Sequence, residues 1–201
     1  MLDFPMMRPH LARAPDDAPR LTLEEWAALP EDEPGELVDD RLVEEEAPDL
    51  LHELVVGWFV QVLSNWGDDH GALVVPSNLK IAVADRRGRM PDAAVYLPDR
   101  PRPPLRGLVR VPPDIALEVV SPTPRDGRRD RVEKLEEYAA FGVRWYWIVD
   151  PEFRTLEVLA LGDDGRYVHA LSADSGTLTD LPGCEGLALD LDALWHKVDR
   201  L

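Results

Sequence analysis

Three residues of this chain could do chemistry together. Asp92 follows Pro91. Glu118 interrupts the apolar run Ile115-Ala-Leu-Glu-Val-Val120. Lys134 falls on a predicted helix, with Asp130 one turn before it and Tyr138 one turn after. Two carboxylates that can converge offer the hard oxygen ligands a divalent cation takes, and a nearby ammonium can steady charge developing on an oxyanion. The combination points to metal-dependent cleavage of phosphodiesters, with the set carrying the reading rather than any one member.

Glu118 is the sharpest of these. Strand alternation puts Ile115, Leu117 and Val119 on one side and Ala116, Glu118 and Val120 on the other. An ionised carboxylate among apolar neighbours is costly unless it is paired or bound to a metal, so the alternative is a salt bridge to a nearby arginine. Lys134 is one of only three lysines, against nineteen arginines. A compact ammonium does what a guanidinium does not, including shifting its pKa on burial. The alternative is a surface lysine paired with Asp130 at i, i+4. Asp92 could be an ordinary Pro-Asp turn residue, and Glu36 lies in a region full of solvated acids. His52 opens a predicted helix after Pro48-Asp49, where a lone histidine is more often a capping or packing residue. The histidines at 10, 52, 70, 169 and 196 have no zinc-ligand spacing. Ser121 lies in no nucleophile elbow, and there is no P-loop or dinucleotide fingerprint. Trp145, Tyr146 and Trp147 read as strand packing.

These residues need elements to hold them. Residues 1–20, rich in Pro, Asp, Arg and Ala, read as a flexible arm, and 21–201 as a single domain. Thr22-Leu-Glu-Glu25 is a capping box for a short helix that stops at Pro30. Glu36–Asp39 and Arg41–Glu45 read as strands around a turn at Asp39-Asp40. Asp49 caps a helix running to about Trp66, with Leu51, Leu54, Val55, Trp58, Val62 and Trp66 at helical spacing. Strands follow at Ala72–Val75, Leu79–Val83 and Asp92–Leu97, with a turn at Asp85–Gly88. The Pro- and Arg-rich stretch Pro98–Pro113 reads as a loop and Asp114–Val120 as a central strand. Arg128–Phe141 is an amphipathic helix with Val132, Leu135 and Ala139 toward the core and Gly142 as its cap. Strands at Trp145–Val149, Thr155–Leu161, Arg166–Ala170 and Leu187–Leu189 precede a last helix from Asp192. This order implies an α/β fold, a mixed sheet with helices on both faces.

Composition limits the partners. The net charge of −17 argues against strong nucleic-acid binding, but residues 80–134 carry 13 Lys/Arg against 8 Asp/Glu. The basic stretch holds all three candidate residues, so weak, salt-sensitive DNA binding is the most to expect. The alternative is an unevenly charged, solvated surface. No stretch is apolar for long enough to span a membrane and no signal peptide is visible. The single Cys184 fits a reducing cytoplasm.

The motifs also form a pattern. Pro91-Asp92, Leu117-Glu-Val-Val-Ser-Pro122, Asp130, Lys134, Tyr138, Phe141-Gly-Val143 and Tyr146-Trp-Ile-Val-Asp-Pro151 resemble the Uma2-type endonucleases of the PD-(D/E)XK nuclease superfamily. Thr22-Leu-Glu-Glu-Trp, Glu36-Leu-Val-Asp and His52 extend the resemblance to roughly residues 20–190. It implies a restriction-endonuclease-like core, Mg²⁺ (or Mn²⁺ in its place) held by Asp92 and Glu118, Glu36 as an additional acid and Lys134 as the superfamily lysine. His52, Asp130 and Tyr138 would support the site; Arg125, Arg128 and Arg129 could contact phosphates. The superfamily motif puts its lysine two residues after the second acid, where this chain has Val120, so Lys134 has to reach back from its helix. Asp40 stands where the family usually has a turn glycine, and Met90 where relatives often have a polar residue. The expectation is a Mg²⁺-dependent DNA endonuclease, a homodimer by resemblance and by Trp-rich composition. A nuclease-fold binding or assembly module without significant catalysis is the alternative, and a small-nucleotide phosphohydrolase a more distant one.

Overall fold

Local signals at the N-terminal end set up a small sheet. The computed structural model of the chain describes residues 20–30, 33, 35–43, 48–121 and 129–200. The expected arm, except Arg20, lies outside these residues, as do Arg125 and Arg128. Thr22 and Glu25 cap helix α1 (Leu23–Ala27) reciprocally. Strands β1 (Glu36–Val38) and β2 (Arg41–Val43) pair antiparallel around Asp39 and Asp40. Both aspartates have positive φ, 53° and 65°, which their short polar side chains tolerate better than most.

Asp49 caps helix α2 (Leu50–His70) by accepting from the His52 amide at 2.8 Å. The helix continues a turn past Trp66 and stops at Gly71, whose φ of 67° is the left-handed C-cap conformation. After β3 (Leu73–Pro76), strand β4 (Ile81–Ala84) turns back into β5 (Arg87–Arg89). The sequence reading placed a turn over Asp85–Gly88; only Asp85 and Arg86 turn, and β5 completes a four-stranded sheet in the order β2-β1-β5-β4. Gly88 is required there. A Cβ at that position would come within 2.2 Å of the Trp26 ring, which α1 packs onto the sheet.

The second sheet carries the centre of the fold. It adds β6 (Ala93–Tyr96), β7 (Ile115–Val119), β8 (Trp145–Asp150), β9 (Thr155–Leu161) and β10 (Tyr167–Ala173) to β3, in the order β10-β9-β8-β7-β6-β3. Only β7 and β8 run parallel, so the chain must cross over between them. The crossover carries helix α3 (Lys134–Phe141), preceded by a π-helical turn over Arg129–Glu133 and ended by Gly142. A short hairpin-like pair, β11 (Thr177–Leu178) and β12 (Leu189–Asp190), precedes α4 (Leu191–Val198).

Alternation along the strands divides the core. Ile115, Leu117, Val119, Trp147, Val149, Leu156 and Val158 pack with residues of α2 and α4. Ala94, Tyr96, Ala116, Tyr146 and Ile148 pack with Tyr138 of α3 on the other face. Helices therefore flank both faces of a mixed sheet, as the element order implied. Five of the six tryptophans are buried and Trp145 is half-buried, so they are used inside the chain and no longer argue for a dimer. Among the described residues no helix is long and apolar enough to cross a membrane.

Candidate functional site

Acids and cations from five elements meet at one end of the central sheet. Because β6 and β7 are antiparallel, with Ala93 opposite Leu117, the start of β6 lies beside the end of β7. Asp92 and Glu118 thereby lie side by side at one end of the strands. The Asp92 Oδ2 atom accepts from the Val119 amide at 2.7 Å and lies 3.3 Å from His52 Nε2 at the start of α2. The other ring nitrogen of His52 is buried without a partner.

Glu118 is buried, and no arginine pairs with it among the contacts described. Its Oε2 accepts from Lys134 Nζ at 2.8 Å and its Oε1 from the Tyr138 hydroxyl at 2.6 Å. Lys134 is not on the surface either. Its ammonium also lies 3.2 Å from Asp130 Oδ1 and 3.4 Å from Glu36 Oε1. The helix-borne lysine thus reaches back to the acid on β7, the geometry that its position in the sequence demanded.

The face that α3 turns inward corrects the sequence reading. Asp130, Lys134 and Tyr138, four residues apart, are buried; Val132, expected in the core, is 48% exposed. Leu135 and Ala139 are half-buried at the margins. A charged stripe can face inward only if its charges are paired. Here they pair with one another, and the Tyr146 hydroxyl donates to the Asp130 carbonyl at 2.9 Å. The π-helical turn immediately before Lys134 brings Arg129 and Asp130 in together, both buried. Such turns recur at functional sites and have no sequence signature of the kind that marks a cap.

The electrostatics follow from burial and crowding. Burial pushes Glu118 well above the ordinary carboxylate range; Lys134 offsets part of this, while Asp92, Asp130 and Glu36 add to it. Burial likewise raises Asp130 against the pull of Lys134. Burial would also raise Glu36, but Lys134, Arg89 and Arg129 outweigh it and hold Glu36 down at about 2. Burial disfavours the Lys134 ammonium, yet Glu118, Glu36 and Asp130 more than restore it, raising it well above its usual value. For His52, burial is outweighed by Asp92, so its pKa is raised.

Arg89 is the residue the sequence reading missed. Its guanidinium is completely buried. It donates to Glu36 Oε2 at 2.5 Å and forks onto Glu137 of α3 at 2.6 and 2.9 Å. One side chain on β5 thus ties the small sheet, the acid of β1 and the lysine-bearing helix together. The available signal was its place three residues before Asp92, on the same strand side as Arg87, which also reaches Glu137. Arg129 is buried with Nη1 3.7 Å from Glu36 Oε2, facing the acids.

The donor set fits a hard divalent cation. It consists of carboxylates, and Glu118, raised chiefly by burial and further by Asp92, Asp130 and Glu36, is a group whose charge a cation would favour. Among the described residues no three His, Cys, Asp or Glu side chains form a ready cage. Asp92 and Glu118 would be the residues to hold such a cation, one or two carboxylates being what Mg²⁺ sites commonly take from the protein.

Comparison with known proteins bears on the family and the fold. The family profile of Uma2, described as "putative restriction endonuclease", matches residues 22–192. A crystal structure of a putative nuclease belonging to DUF820 from Anabaena variabilis superimposes with a TM-score of 0.70 at 18% identity, covering 88% of this chain and 98% of that one. A search of curated proteins finds no match.

Proposed function

We propose that this chain, which belongs to the Uma2 family, is an endonuclease that hydrolyses DNA phosphodiester bonds with the help of a divalent cation. The observation that carries the reading is the meeting of Asp92, Glu118 and Lys134 at one end of β6 and β7, where buried Glu118 accepts from Lys134 and feels the charge of Asp92.

In this reading Asp92 and Glu118 hold Mg²⁺, with Mn²⁺ able to replace it. A cation bound there would act as a Lewis acid on the scissile phosphate and lower the pKa of water beside it. The protein supplies the rest. Val119 N–H and His52 fix the Asp92 carboxylate, and Tyr138 fixes Glu118. Lys134 donates to the phosphate oxygen on which charge develops, or orients the attacking water. Glu36 orients that water or completes the metal shell, held in place by Arg89. Arg125, Arg128 and Arg129 supply phosphate contacts. With a net charge of −17, binding to DNA is weak and falls with salt. A homodimer follows from the resemblance alone; sedimentation velocity tests it.

Cleavage of supercoiled plasmid with Mg²⁺ or Mn²⁺ tests the proposal, with wild type and Glu118→Ala purified identically. Wild type is expected to cleave and Glu118→Ala to lose the activity while keeping its fold. Metal-dependent cleavage retained by Glu118→Ala would exclude this centre. The competing reading, a nuclease-fold binding module, draws on the acidic charge of the chain and predicts no Glu118-dependent Mg²⁺ binding.

A further inference from the structure

The Lys134 ammonium has carboxylate oxygens of three residues around it, Glu118, Asp130 and Glu36, at 2.8, 3.2 and 3.4 Å. Its side chain is 4% exposed. The ammonium is enclosed by three acids, so it is not presented to a substrate. Glu118 is also engaged, since Lys134 takes a lone pair of one oxygen and Tyr138 a lone pair of the other. A divalent cation coordinated by Glu118 needs an oxygen lone pair at about 2.0–2.6 Å. It would then stand beside Nζ with two more positive charges, in a pocket where burial weakens screening.

We propose that Lys134 and the divalent cation compete for Glu118 Oε2, so that cation binding expels the ammonium from between the acids and frees it to face the substrate phosphate. This inference rests on Asp92 and Glu118 being the metal ligands and adds what regulates entry to that site. In the absence of cation, Lys134 is the counter-ion that lets Glu118 and Asp130 be buried beside Glu36, which Arg89 and Arg129 also hold. Once a cation takes over that task, the lysine is available where it is needed. The same side chain cannot do both at once, because in the enclosed position it is buried and held among the acids.

The test is Mn²⁺ binding to the full chain, followed by electron paramagnetic resonance for wild type, Lys134→Met and Glu118→Gln. Lys134→Met is expected to bind Mn²⁺ about tenfold more tightly than wild type or better, since a neighbouring positive charge has gone; Glu118→Gln is expected to lose binding. If wild type binds and Lys134→Met binds no more tightly, competition is overturned while the nuclease reading stands. If neither binds, both fall. Lys134→Met leaves Glu118 and Asp130 without their counter-ion, while Glu36 keeps Arg89, and could fail to fold, so wild type is also probed directly. Reductive methylation read by mass spectrometry resolves all three lysines, Lys80, Lys134 and Lys197. Saturating Mn²⁺ is expected to raise labelling of Lys134 several-fold relative to Lys197. Unchanged labelling would overturn the expulsion.

Discussion

The two faces of the central sheet are made by alternate residues of the same strands, yet one is hydrocarbon throughout and the other, apolar along most of its length, ends in an ionic cluster. On β7, Ile115, Leu117 and Val119 enter an apolar cluster with Trp58, Phe59 and Leu63 of α2 and Leu194 and Trp195 of α4. One residue out of phase, Ala116 and Glu118 face α3, which answers with Tyr138, Lys134 and Asp130. Burial costs nothing extra for the first set and a great deal for the second unless every charge finds a partner. The apolar face therefore contributes stability, while the other face spends some of it to hold acids in a place where water would otherwise screen them. Placing both on one sheet anchors the reactive groups to a rigid backbone.

The largest test of this division is on the apolar face. Trp147 is fully buried and meets Phe59 edge-on, with ring centroids 6.5 Å apart. Trp147→Ala is expected to cost about 3–5 kcal/mol in urea denaturation. The ring N–H of Trp147 has no partner, however. Trp147→Phe removes that buried donor and is expected to cost less than about 1.5 kcal/mol. A loss for Trp147→Phe as large as for alanine would mean that the indole itself, and not hydrocarbon packing, matters on this face.

A smaller effect separates the faces by pH. Glu36 sits at about 2, below its ordinary value of 4.5, so its stabilising contribution is present above 4.5 and is lost as pH falls toward 2. Glu118 has the opposite sign. Its pKa is raised, so its contribution is present below 4.5 and is lost as pH rises through the raised value. Glu36→Gln should therefore flatten the stability profile between about pH 4.5 and 2, and Glu118→Gln should flatten it above 4.5. Trp147→Phe should leave the shape unchanged. Denaturation of each variant across this range decides the point; a Glu118→Gln profile parallel to wild type would contradict the crowding of acids around Glu118.

Much of this was legible in the residues. The capping box at Thr22, the Asp49 cap, the glycine after Phe141 and the alternation through Glu118 each have a local physical cause and each appears as expected. The inward turn of α3 was legible in the spacing of Asp130, Lys134 and Tyr138 but not in the hydrophobic periodicity, which assumes that buried means apolar. Lys134 and Asp130 bury charge that only a distant strand, β7, makes tolerable. The π turn and the role of Arg89 depend equally on partners far away in sequence, Glu36 and Glu137, which no local pattern announces.

Val132 supplies the finest discrimination between the two accounts of α3. The helical pattern Val132, Leu135, Ala139 would put its side chain in the core; the fold leaves it 48% exposed, on the side away from Asp130 and Lys134. A buried valine exchanged for serine loses its hydrocarbon and leaves a hydroxyl to satisfy, a cost of about 1–3 kcal/mol. An exposed one loses only a partial contact, and surface changes stay within about 0.5 kcal/mol. Val132→Ser is thus expected to shift the denaturation midpoint very little, with no change in the pH profile of the acids beneath. A loss of the larger size would restore the apolar stripe as the buried one, and with it a helix rotated so that Lys134 could not reach Glu118.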